Sequence, residues 1–144
     1  MTIMLFVVGC TGNALIPGGD VQVGDSGFDE TDVTAPEIVF EPFSENVPGG
    51  SDVDVSAEIT DNEGGTGVFL ATLYFRSETA SSKDWKSIGF TRPSSGSEWT
   101  ATISGDEQRS AGMWYYLLAI DGSQNEAVDP PQGADAPYHY SYAD

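Results

Sequence analysis

The chain has 144 residues, room for one ordinary domain and a tail but not for two separate cores. Its 23 acidic residues against 5 basic ones give a net charge of −18, which repels a phosphate backbone and argues against nucleic acid as a partner. The 17 glycines and 8 prolines break the chain into short runs, the texture of strands and turns, so an all-β fold is expected.

In chain order, residues 3–8 are apolar but far too short to span a bilayer as a helix, which needs about 20 residues, and the run ends at Gly9 and Cys10. The motif "VVGC" resembles the lipobox of bacterial lipoproteins. The resemblance implies that residues 1–9 are a signal segment and that Cys10 becomes an acylated N-terminus. Two or three acyl chains would hold it stably to a membrane, where one chain would not. Cys10 is the only cysteine, so no internal disulfide is expected in the folded part. Residues 10–34 are rich in Gly, Asp and Thr and include the acidic run "GDSGFDETD". Such composition cannot offset the cost of chain ordering, and a flexible linker is expected.

A domain is expected over residues 35–144, with seven strands. These are residues 37–40, 53–59, 68–76, 85–90, 98–103, 113–120 and 138–142. The second is the clearest, because Val53, Val55, Ala57 and Ile59 alternate with Asp54, Ser56 and Glu58. No stretch has the length and period of an amphipathic helix.

The segments "TAPEIVF", "VDVSAEITDNEGGTGV", "DWKSIGF", "WTATI" and "WYYLLAIDGSQNEAVDPP" resemble the immunoglobulin-like, fibronectin type III-related domains of myxobacterial surface and secreted proteins. Tyr115, Tyr116, Ala119 and Asp121 match the end of the sixth strand in that family, whereas Gln124 stands where its Gly is expected. The resemblance implies a seven-stranded sandwich, and such sandwiches host many unrelated functions.

The residues argue against catalysis. The only histidine, His139, has no serine motif beside it, and is expected to point to solvent or to stack with Tyr138 and Tyr140. One His and one acylated Cys cannot furnish a zinc site. No cofactor is expected, with calcium as the one metal in play. In an immunoglobulin-like arrangement Asp32, Asp61, Asn62, Glu63, Asp121, Asn125 and Asp129 would gather at one end and offer oxygen ligands. The competing reading is that Asp61 and Asp121 only cap their loops.

In the sixth strand both faces are apolar. The family resemblance puts Leu117 and Ala119 inward, leaving Trp114, Tyr116 and Leu118 outside beside Leu70 and Tyr74. Aromatics so grouped suit a sugar ring or a partner protein. The expectation is a non-enzymatic, lipid-anchored interaction or adhesion module of the bacterial envelope, at the outer membrane or cell surface. Its partners would be the membrane through its anchor and a protein or polysaccharide. The alternative is a passive spacer or structural lipoprotein with no specific ligand, with or without calcium stabilisation.

Overall fold

The computed structural model describes residues 32–44, 46–81, 84–108 and 111–143. Cys10, the signal segment and nearly all of the expected linker lie outside the described residues.

The described residues are all-β, forming two sheets with two short 3₁₀ turns at Gly105–Glu107 and Gly133–Asp135. The strands are β1 (Glu37–Val39), β2 (Val47–Pro48), β3 (Val53–Thr60), β4 (Val68–Ser77) and β5 (Lys86–Gly89), then β6 (Glu98–Ile103), β7 (Gly112–Asp121), β8 (Glu126–Asp129) and β9 (Tyr138–Ala143). One sheet runs β1-β3-β6. The other runs β2-β9-β7-β4-β5, with β8 also paired to β7.

The described residues form nine strands where seven are predicted, the two added being β2 and β8. The chain leaves the first sheet after β1 and returns as β2, which pairs in parallel with β9 in the other sheet. At the far end β8 pairs with residues 117–120 of β7 and β9 with residues 112–115, so the two share one edge of the same strand. Between them lie Pro130 and Pro131, which have no N–H to give to a ladder.

Alternation explains the core. In β3 the side chains of Val53, Val55, Ala57 and Ile59 are buried and the residues between them are exposed, as are the alternating residues of β6 around buried Trp99, Ala101 and Ile103. Across the sandwich Ala71, Leu73 and Phe75 of β4 and Met113, Tyr115, Leu117 and Ala119 of β7 meet them. A register shift between Val68 and Leu70 leaves Phe69 exposed at 58%. The shift matches a β-bulge, in which an extra residue re-aims the strand.

Below this layer Phe40, Phe43, Tyr115, Tyr138 and Tyr140 pack ring against ring at 5.2 to 6.4 Å. Burial pushes the phenols of Tyr115 and Tyr140 far above their ordinary range. Tyr138 is pushed up to about 12, by burial and then by donating its hydroxyl to Asp129 Oδ2 at 2.9 Å. Unfolded phenols ionise near pH 10, so above that pH the native state holds more protons than the unfolded one. Stability is therefore complete below about pH 10 and lost as the pH climbs toward 12 and beyond. The urea midpoint is expected to stay level up to about pH 9 and to fall above about pH 10. A level midpoint through this upper range would contradict the packing described.

Candidate functional site

Two places collect the residues singled out by sequence, the loop end beyond β3 and β7 and the outer face of β4 and β7. At the loop end, Asp32 precedes β1, Asp61 follows β3 and Asp121 closes β7. One carboxylate oxygen from each lies within 4.8 Å of the others. Oxygens that close can share one calcium ion, which sits about 2.4 Å from each of its ligands.

Each carboxylate also organises its loop. Asp121 is fully buried; its Oδ1 accepts from the amides of Ser123 and Asn125, both at 2.8 Å, and its Oδ2 accepts from Asn125 Nδ2 at 2.7 Å. Asp32 accepts from Thr34 N at 3.1 Å and Thr66 N at 3.0 Å. Asp61 Oδ2 accepts from Gly67 N at 2.6 Å, while its Oδ1 is buried with no hydrogen-bond partner. Capping therefore accounts for part of the arrangement and leaves that one oxygen over. Like charges at this separation repel by on the order of 3 kcal/mol per pair at an effective dielectric of 20. A divalent cation would remove that repulsion.

Asn62 turns its side-chain oxygen to the same spot. A Cβ built on Gly65 would stand 2.5 Å from Asn62 Oδ1, 2.7 Å from Asp61 Oδ2 and 2.9 Å from Asp32 Oδ2. Only glycine leaves these oxygens where they are. Gly65→Ala is expected to spread them and to shrink any calcium-dependent rise in the unfolding midpoint, measured by thermal unfolding with calcium and with chelator.

Of the remaining expected ligands, Glu63 and Asp129 are not among the clustered carboxylates, and Asn125 sits against them. Glu63 is exposed, and none of the three clustered carboxylates belongs to it. Asn125 acts as a brace, its amide donating to the backbone oxygens of Asp32 at 3.0 Å and Thr34 at 3.4 Å, so residues expected to be linker are tied to the loops. Asp129 is a correction. It lies opposite Leu117, four positions along β7 from Asp121, roughly 13 Å at the rise of a strand, and it accepts from Tyr138 instead.

On the outer face the ladder sets Leu70 against Ile120, Thr72 against Leu118, Tyr74 against Tyr116 and Arg76 against Trp114. Leu70, Tyr74, Trp114, Tyr116 and Leu118 are all half-buried, opposite in direction to buried Leu117 and Ala119. Tyr74 and Tyr116 stack with centroids 4.8 Å apart, and Trp85 sets its ring edgewise to Tyr116 at 4.9 Å. The Arg76 guanidinium sits 4.9 Å above the Trp85 ring. Sequence reasoning assigned no role to Arg76 or Trp85; Trp85 lies just before the short β5, where alternation gives no side to a residue outside the ladder.

His139 does not stack with Tyr138 or Tyr140, because alternation sends it to the other face of β9. It packs on Trp114 at 4.3 Å and shares a hydrogen bond with Glu78 at 3.1 Å. No helix among the described residues is long and apolar enough to cross a membrane.

Compared with protein-family models and with curated proteins, the chain matches none.

Proposed function

We propose that this chain is a non-enzymatic interaction module of the bacterial cell envelope, lipid-anchored through Cys10, that engages a protein partner through the outer face of β4 and β7. The observation that carries the reading is the joined set of Tyr74, Tyr116, Trp85, Arg76 and Trp114 on one face. Trp, Tyr and Arg are the types that dominate binding hot spots, since they bring large contact area at low entropic cost.

The fold is of the immunoglobulin-like, fibronectin type III-related kind. In support, the nine strands reduce to seven when β1 with β2, and β8 with β9, are each taken as one interrupted strand. Acylation at Cys10 would place the domain at the outer membrane or cell surface, and intact-mass analysis from the native host should find the lipid there. A free thiol on an uncleaved Met1 chain would overturn the anchor.

A calcium ion at the loop end is the second reading, favoured by the buried, unpartnered Asp61 Oδ1 among three close carboxylates. Its role there is to stabilise the module.

The partner reading is tested with a photo-crosslinking residue at position 74 of the full chain in its own envelope. One discrete protein adduct is expected, lost when Trp114→Ala and Tyr116→Ala are added. Absence of any adduct, or an adduct indifferent to those changes, would contradict it.

A further inference from the structure

Arg76, Lys86 and Arg92 are the basic residues among the described ones, and two of them are engaged with oxygens. Lys86 pairs with Glu107, and Arg92 donates to the backbone oxygens of Val68 and Phe69. Arg76 differs: among the described residues it forms no ion pair, and its Nε is buried without a hydrogen-bond partner. The nearby acids are turned elsewhere. Glu78, two positions on along β4, is held by His139, Glu107 is held by Lys86, and Asp84, which lines a cavity with Arg76, makes no ion pair with it. The guanidinium is therefore set 4.9 Å over the Trp85 ring with no counter-charge.

We infer that Arg76 determines the specificity of the outer face, and that the partner protein presents an aspartate or glutamate side chain to it. This rests on the partner reading given above and names the group that the partner must carry.

Three arguments select that group. A carboxylate matches the planar fork of a guanidinium with two parallel hydrogen bonds, and arginine can stack on a ring while making them. A phosphate would bring further negative charge that one guanidinium cannot match in a chain of net charge −18. Arg76 also lies within the patch, with Trp114 opposite in the ladder, Tyr74 two positions back and Glu78 two positions on. The partner's surface thus continues past it, so the carboxylate belongs to a side chain and not to a chain end. A cavity of about 330 Å³ beside Arg76, between β4, the β4–β5 connection and the turn at Gly105–Glu107, has room for such a side chain.

The test mixes the purified full chain, carrying the photo-crosslinking residue at position 74, with membrane-free envelope protein. One portion of that protein is untreated, and in the other the carboxyl groups are converted to neutral amides with carbodiimide and ethanolamine. On untreated protein the adduct is expected to fall at least about tenfold in Arg76→Gln, the loss that follows removal of a charged hydrogen-bonding partner. Amidation should lower the wild-type yield as far and the Arg76→Gln yield no further, with urea unfolding confirming that both chains are folded. If Arg76 only held Trp85 in place, the residual binding of Arg76→Gln would stay as sensitive to amidation as that of the wild type. That result would overturn the inference, as would an adduct indifferent to Arg76→Gln or to amidation, and each would leave the partner reading standing. No adduct between the wild type and untreated protein would overturn the partner reading and the inference with it.

Discussion

Leu117→Ala is expected to cost about 2 to 5 kcal/mol, the range for truncating a buried leucine that leaves a cavity. Leu117 is fully buried in the middle of β7 and faces Leu73, also fully buried, across the ladder. Both sheets meet at this position, so little can relax to fill the space. Trp114→Ala with Tyr116→Ala should cost less, because those rings are half-buried and mainly lose aromatic pairs worth about 0.5 to 1.5 kcal/mol each. Urea unfolding of the three proteins decides the matter. If the double variant unfolds as readily as Leu117→Ala, the outer face is part of the stabilising core and its surplus of aromatics needs no partner.

Saturating calcium is expected to raise stability by mass action, by about 2.7 kcal/mol at a hundredfold excess over the dissociation constant. For a domain of this size that corresponds to a rise in Tm on the order of 10 °C. The effect should vanish with chelator and be largely absent in Asp61→Asn, which removes a charge and alters the donor set around a buried oxygen. An unchanged Tm would mean that the three carboxylates serve only to cap loops through Ser123, Asn125, Thr66 and Gly67.

The alternation of β3 is legible because one face is apolar and the other acidic or hydroxylated, and the structure follows it residue by residue. The two added strands are harder to read. β2 is two residues long and owes its existence to pairing with β9, almost a hundred positions away, which no local pattern records. β8 has no apolar run, and is a strand because β7 offers it an edge.

The loop end divides in the same way. Asp32, Asp61 and Asp121 could be grouped in advance because they sit where strands end, and strand ends sort by topology. Asp129, expected with the loop connecting the last two strands of an immunoglobulin-like arrangement, lies instead in β8, whose return along β7 carries it away from Asp121. The part played by Gly65 follows from side chains converging on its Cα hydrogen, which is visible only in three dimensions.

The most direct test of the interaction module is retention of the chain, freed of its lipid, on immobilised membrane-free envelope protein, wild type against Trp114→Ala with Tyr116→Ala, at a temperature where both are folded. The account predicts that the wild type is retained and the double variant is washed off. Equal retention of the folded double variant would contradict it.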